Sequence, residues 1–262
     1  MKKDLFIIKI GGNIIDDENK LSAFLQDFAS IPSGKILVHG GGKKATRLAD
    51  SLGIAQKMID GRRITDKKTL EIVTMVYAGE INKQIVALLQ SNHCQAIGLT
   101  GADGNLIRAH KRIHPSIDYG FAGDIDEIHD ELLVLLLEKE LVPVIAPITH
   151  DGHAQLLNTN ADTIAQEIAK AMSEHFAVHL IYSFEKKGVL MDVNDENSVI
   201  RQLEPVSYAK LKAEQKIFAG MIPKLDNAFE ALQRGVKAVT IGKAEELKGL
   251  ITHSSGTIIS NG

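Results

Sequence analysis

The sequence contains no tryptophan, one cysteine and few aromatic residues, 5% in all. Each shortage excludes something. So few rings argue against the stacking platforms on which proteins hold single-stranded nucleic acid. The lone Cys94 cannot form an internal disulfide and fits a reducing compartment. It reads as a core thiol, because no triad pattern accompanies it as it would a nucleophile. An excess of either charge is also missing. Lys and Arg number 30 against 33 Asp and Glu, a net charge of −3, so no broad basic field favours nucleic acid. Long hydrophobic runs are absent too. After Lys2 and Lys3 the apolar run Leu5 to Ile8 stops at Lys9, which is short for a secretion signal. The run Leu132 to Leu137 is too short to cross a bilayer. A cytoplasmic protein that engages neither nucleic acid nor membrane is expected. The histidines offer no tight metal constellation. His110 and His114, or His150 and His153, have helical spacing, but Pro115 and Gly152 break any helix there, so no metal site is expected.

What is present is ordinary globular material, 44% hydrophobic and 24% charged over 262 residues. That suffices for one large domain or two coupled lobes. Near-continuous apolar segments predict strands at Leu5–Ile10, Lys35–His39, Gln95–Leu99, Val142–Ala146, Val178–Ser183 and Lys237–Ile241. Helical periodicity marks Lys20–Ala29, Lys44–Leu52, Asp66–Gln90, Asp130–Lys139, Ala161–His175, Pro223–Arg234 and Ala244–Leu250. Thr65 is the expected N-cap of the longest helix, Pro223 suits a first turn, and Gly235 suits a helix end. Alternation of this kind implies an α/β fold with a mainly parallel sheet, whose ligands bind beyond the carboxyl ends of the strands. Segments 148–160 and 184–206 read as hairpin or loop excursions. A division into lobes 1–175 and 176–262 would run through one shared sheet.

Five stretches could carry chemistry. "VHGGGK" places Gly40, Gly41 and Gly42 between a strand and a helix. One glycine would make the turn. Three bare residues let backbone N–H groups close on an anion, which the helix N-terminus also favours. "IIKIGGN" repeats the device with Gly11 and Gly12 and puts Lys9 in an apolar strand, costly unless it snorkels or meets an anion. Neither turn shows the dinucleotide or P-loop fingerprint. "DGRRITD" supplies Arg62 and Arg63, suited to a bidentate grip on a carboxylate or else a solvated pair. "NTNAD" offers Asn158, Asn160 and Asp162 before a helix. Asn160 reads as the cap, and Asp162 could fix nearby lysines by charge. "GMIPK" puts Lys224 in a first helical turn, against the helix dipole, and such a local conflict often marks function.

Together, in this order and spacing, these motifs resemble the amino acid kinase superfamily, most closely its acetylglutamate kinases. "GLTGADGNLI" and "GFAGDID" share the likeness, which runs from Leu5 to about Ile259. The resemblance implies a three-layer α/β/α sandwich around a mainly parallel open sheet, with two lobes on that sheet. It implies transfer of phosphate from ATP, with Mg²⁺ carried on the nucleotide, to the γ-carboxylate of N-acetyl-L-glutamate. It implies that Gly41, Gly42, Arg63 and Asn158 hold the acyl-glutamate, and that Lys9 and Lys224 stabilise the phosphoryl group while Asp162 organises them. Gly11, Gly12, Glu185, Gly188, Gly220 and Met221 would contact the nucleotide. Two departures stand out. "SFEKKGVL" lacks the aspartate usual in the nucleotide turn, with Glu185 nearby, and "GRRIT" has Arg62 where a leucine is typical. Arg62 raises the expectation that the acyl group carries a second carboxylate, as in N-succinyl-L-glutamate. The start at the first strand, without the helix that interlocks arginine-inhibited hexamers, raises the expectation of an arginine-insensitive homodimer, with Asp66–Gln90 in the contact. A catalytically inactive sensor would be expected to lose Lys9, Asp162 or Lys224, and all three are present.

Overall fold

The first strand, β1 (Asp4–Ile10), sends alternate side chains to opposite faces, as a pleated strand must. Phe6, Ile8 and Ile10 enter one apolar core, and Leu5 and Ile7 enter a second. A strand buried on both faces requires helices above and below it, so this alternation already imposes three layers. In the computed structural model, which describes residues 2–59, 61–192, 194–214, 216–217 and 221–261, both layers are present.

The elements follow in order. After β1 come α1 (Gly12–Ile15), α2 (Glu18–Ala29), β2 (Gly34–His39) and α3 (Gly42–Ser51). A small hairpin, β3 (Met58–Ile59) and β4 (Arg62–Arg63), leads to α4 (Lys67–Thr74). This helix runs on through a π-helical stretch, Met75–Ile81, into α5 (Asn82–Ser91). Then come β5 (Ala96–Leu99), β6 (Ile107–Lys111), β7 (Ala122–Ile128), α6 (Glu131–Glu138), β8 (Val142–Ile145), β9 (Ile148–His150) and β10 (Leu156–Thr159). The chain ends with α7 (Ala161–Met172), β11 (Ala177–Phe184), β12 (Gln202–Leu203), α8 (Pro205–Ala213), α9 (Ile222–Gln233), β13 (Ala238–Lys243), α10 (Leu247–Ile251) and β14 (Thr257–Ile259).

Eight strands form one sheet in the order β12-β14-β13-β11-β1-β2-β8-β5. It is parallel except where β13 meets β14. Leu21, Leu25, Val73 and Ile85 cover one face, and Ile164, Ile168, Leu225 and Ala228 cover the other. Each large side chain so buried contributes roughly 1.5–3 kcal/mol. The three-layer α/β expectation and all six predicted sheet strands are therefore present, with ends shifted by one or two residues. The segment 148–160 is a hairpin of β9 and β10.

Two features differ from expectation. The cap of the longest helix is Asp66, whose carboxylate accepts from the Thr69 N–H, one residue beyond Thr65. Thr65 is instead buried and bridged to Gly120. The second is a closed four-stranded barrel, β10-β7-β6-β9, which apolar runs did not reveal because β6 and β7 carry charges on their open face. The continuous helix Lys67–Ser91 is long and apolar enough to cross a membrane by length and composition. Its Leu70, Val73, Val76, Ile81, Ile85 and Leu89 nevertheless belong to the core beneath the sheet.

Candidate active site

Strands β1 and β2 are parallel neighbours in register, Lys9 beside Val38 and Ile10 beside His39, so their glycine turns emerge at the same sheet edge. On the other side of β1 lies β11, with Lys9 beside Tyr182 and Ile10 beside Ser183. The chain therefore reverses its direction of sheet growth at β1, and parallel sheets bind ligands at such a switch point.

The β2 turn is tightly determined. Gly41 has φ +152°, a conformation that disfavours any side chain, and a β-carbon there would lie 2.3 Å from the Ile81 Cδ1 atom. Helix α3 starts directly after it, at Gly42. Arg63, buried, donates to the Gly42 carbonyl at 2.9 Å and to Thr46 Oγ1 at 3.0 Å, and also donates to Gln56. From the barrel, Asn158 donates to Thr65 Oγ1 at 3.0 Å. Gly41, Gly42, Arg62, Arg63 and Asn158 all line one cavity of about 150 Å³. Sequence reasoning did not anticipate Tyr77, Ala122 and Pro147 in its wall. Tyr77 lies in the π-helical stretch, a distortion that often marks functional positions.

A second, larger cavity of about 1,230 Å³ lies on the other side of β1. Lys9, Gly11, Glu185, Gly188, Met221 and Lys224 line it, together with Lys186, Lys212 and Lys216. Gly12 is not in its wall, since it opens α1 beside Asp16 and Lys43. Gly220 lies outside the described residues.

Asp162 stands between the two cavities. Its neighbours Asn160 and Ala161 line the smaller one, and the two lysines that it binds line the larger. Asn160 caps α7 by accepting from the N–H groups of Asp162 and Thr163, which fixes Asp162 in the first turn, where a carboxylate suits the helix dipole. Its Oδ1 lies 2.7 Å from Lys9 Nζ, and its Oδ2 lies 3.6 Å from Lys224 Nζ. The Asp162 and Lys9 side chains are only 20% and 14% exposed, so solvent screens the closer pair weakly. Burial alone pushes the Asp162 carboxyl up. The two ammonium groups outweigh it and hold the carboxyl below its usual range. Lys224 also sits 5.2 Å from the centroid of the Phe184 ring, which turns the ammonium inward despite its unfavourable place at a helix start.

Arg62 lines the smaller cavity beside a second arginine. Arg112 holds Asp124 at 2.8 and 3.0 Å, and Arg62 reaches the same carboxylate only at 3.7 Å. Two guanidinium groups thus share one carboxylate. Burial and the charge of Arg112 both push the Arg62 pKa down.

Residues 4–243 match the model of the amino acid kinase family. Over 251 residues the chain is 56% identical to an acetylglutamate kinase of Cytophaga hutchinsonii, covering 95% of each chain. Over 259 residues it is 52% identical to an acetylglutamate kinase of Phocaeicola vulgatus, covering 99% of each. Among solved structures, the fold is similar to smu.665 from Streptococcus mutans, with a TM-score of 0.79 at 24% identity, covering 98% of this chain and 99% of that one. It is also similar to carbamate kinase from Giardia lamblia, with a TM-score of 0.70 at 13% identity, covering 100% and 99%. These structural likenesses speak to fold alone. With its length matched end to end by relatives at more than half identity, the chain belongs to the amino acid kinase family and, within it, to the acetylglutamate kinases.

Proposed function

We propose that the chain transfers the γ-phosphoryl group of ATP to the γ-carboxylate of N-acetyl-L-glutamate, a step of arginine biosynthesis. The observation that carries this reading is Asp162 at the seam of two cavities, bound to one lysine from each end of the chain, Lys9 and Lys224. The smaller cavity, with Arg63, Asn158 and the bare turn Gly41–Gly42, takes the acyl-glutamate. The larger takes the nucleotide, whose phosphates meet a wall rich in lysine. On this reading, residues 1–175 form the acceptor lobe and 176–262 the nucleotide lobe, divided along the shared sheet.

A γ-carboxylate is already ionised at neutral pH, so its oxygen attacks phosphorus without a general base. A new O–P bond forms to the acceptor as the bond to the leaving ADP oxygen breaks. The obstacle is repulsion between two anions. Lys9 and Lys224 answer it with positive charge, and backbone N–H groups of the glycine turns add fixed donors. Asp162 keeps both ammonium groups aimed at the seam while no substrate is there to hold them. Among the described residues no three His, Cys, Asp or Glu side chains cluster as metal ligands, and the Asp162 carboxylate at the seam is already held by two ammonium groups. Mg²⁺ would enter this site with the nucleotide and would supply further charge neutralisation beside Lys9 and Lys224.

A second reading concerns the acyl group. Arg62 has only a distant share in Asp124, and it faces the acceptor cavity. That surplus of positive charge favours an acyl chain ending in a carboxylate, such as succinyl. The test is ATP consumption with Mg²⁺ and N-acetyl- or N-succinyl-L-glutamate in parallel. Faster turnover of the acetyl compound supports the main reading, and faster turnover of the succinyl compound supports the second. Turnover of neither overturns both. In Arg62→Leu the second reading expects the succinyl-to-acetyl ratio of kcat/KM to fall at least tenfold, and an unchanged ratio refutes it. The reading extends to a cytoplasmic homodimer. The long helix, where Met75 is 56% exposed, is the proposed contact, and light scattering of the purified protein tests it.

A further inference from the structure

His39 is the last residue of β2 and fully buried, and the reaction as described does not use it. Its ring lies in a continuous chain of polar contacts. Nδ1 is 2.8 Å from the Gly40 carbonyl oxygen, and Nε2 is 3.2 Å from Asn82 Nδ2. Asn82, also buried, donates from the same nitrogen to the Val144 carbonyl at 2.9 Å. Its amide oxygen accepts from Lys83 Nζ at 3.1 Å, and Lys83 donates to the Gly98 carbonyl at 3.0 Å. A β-carbon on Gly98 would fall 1.9 Å from the Asn82 amide oxygen, so a glycine is needed there for the chain to form.

This network fixes protons as well as positions. An ammonium on one side and a backbone carbonyl on the other allow the Asn82 amide only one orientation. Its Nδ2 can only donate, so His39 Nε2 accepts and the ring proton is on Nδ1. From there it is donated to the Gly40 carbonyl. Burial keeps the ring neutral by pushing its pKa down to about 4.

The consequence lies in the next peptide unit. In a trans peptide the C=O and N–H point in opposite directions. The Gly40 carbonyl shares its plane with the Gly41 N–H, so drawing the carbonyl inward turns that N–H outward. The Gly41 N–H has no backbone acceptor among the described residues, and Gly41 lines the acceptor cavity. A peptide flanked by two glycines has little steric resistance to flipping, so another group must choose its orientation.

We propose that His39, with its tautomer set by Asn82, is a positioning residue that locks the Gly40–Gly41 peptide with its N–H facing the acceptor carboxylate and the transferring phosphoryl group. The proposal rests on the phosphoryl-transfer reading above. A wrong orientation would present a carbonyl oxygen to an anionic transition state and would remove a donor at the same time.

Two substitutions separate this role from simple packing. Asparagine carries its amide at the distance of Nδ1 and can still donate to the Gly40 carbonyl. Glutamine reaches the Nε2 position and leaves that carbonyl without a donor. We expect His39→Gln, which misorients the donor without deleting it, to lower kcat by about 10- to 100-fold, up to the lower end of the roughly 100- to 1,000-fold loss on removing one oxyanion donor. The KM for acyl-glutamate should change less than threefold, and His39→Asn should recover most of kcat. Equal kcat in the two variants overturns the proposal, as does wild-type kcat in His39→Gln. Nitrogen-15 NMR of the histidine-labelled wild type reads the tautomer without depending on turnover or on the stability of a variant. A neutral ring protonated on Nδ1, assigned by its loss in His39→Asn, is expected, and a ring protonated on Nε2 overturns the proposal. Wild-type protein with the expected tautomer but no kinase activity would count against the phosphoryl-transfer reading alone.

Discussion

The buried His39 also makes the fold sensitive to mild acid, by an amount that follows from its environment. In the unfolded chain a histidine protonates near pH 6.5, whereas in the folded protein His39 does so only at about 4. Between those values the unfolded state binds the extra proton, so stability falls as the pH falls. Each tenfold rise in proton concentration within that window favours the unfolded state by ~1.4 kcal/mol. Moving from pH 7 to pH 4.5 should therefore remove about 2 kcal/mol through this residue alone. The assay is urea unfolding at steps from pH 7 to pH 4.5, for the wild type and for His39→Asn. The variant leaves the Asn82 amide one acceptor short, which costs about 1–3 kcal/mol at every pH. It has no imidazole to titrate, so its stability should fall less steeply, and the gap between the two proteins should close by about 2 kcal/mol across this range. Asp162 does not blur the result. Its folded pKa is lowered, so its contribution is complete above the ordinary carboxylate value and is lost only at lower pH. Parallel curves for the two proteins would refute the assignment of a neutral, buried His39.

Further outcomes follow from the site geometry. Asp162→Asn keeps the shape but removes the charge between Lys9 and Lys224, so kcat should drop by about two orders of magnitude, and the melting temperature at neutral pH should fall as well because two half-buried ammonium groups lose their counter-ion, as steady-state kinetics and a melting curve would show. Gly41→Ala forces a β-carbon against Ile81 in a backbone region that disfavours side chains, and should cost about 2–4 kcal/mol by urea unfolding. An unchanged midpoint would show that the turn relaxes freely.

How much of this is legible in the sequence depends on the range of the interaction that fixes each feature. The sheet strands are readable because burial on both faces leaves an apolar run, as in Leu5–Ile10 and Val178–Ser183. Asn160 and Gly235 are readable because caps act over a few residues. The barrel is not, because β6 pairs with β9 across some forty residues and its strands carry Arg108, His110, Asp124 and Glu127. Thr65 has the chemistry of a cap one position early, and only its tertiary bridge to Gly120 shows why Asp66 takes the role. Lys9, Asp162 and Lys224 each break a local rule or exceed one, which is why they stand out singly. Their convergence cannot be read from spacing, since 153 residues separate Lys9 from Asp162 and 62 more separate Asp162 from Lys224.

That convergence is a product of topology. A parallel sheet grown outward from β1 in both directions puts the carboxyl ends of β1, β2 and β11 side by side, although β11 comes far later in the chain. The smaller cavity forms over the β2 side and the larger over the β11 side, so on the proposed reading the two substrates would approach from opposite halves of one sheet edge. Both lysines line the larger cavity, Lys9 from β1 and Lys224 from α9. Helix α7, which carries Asp162, packs on β1 and also on β11 and α9, so it is a shift of α9 against α7 that would change the Lys224–Asp162 distance, already the longer of the two at 3.6 Å, while Lys9 stays held within β1. Lys224 is then the lysine whose placement should report closure. Its replacement by Arg, a residue of equal charge and longer reach, should restore part of the kcat lost in Lys224→Ala, whereas the same pair of replacements at Lys9, confined within a strand, should show no such rescue. Equal rescue at both positions would show that charge alone matters and that the two sides of the sheet edge are fixed.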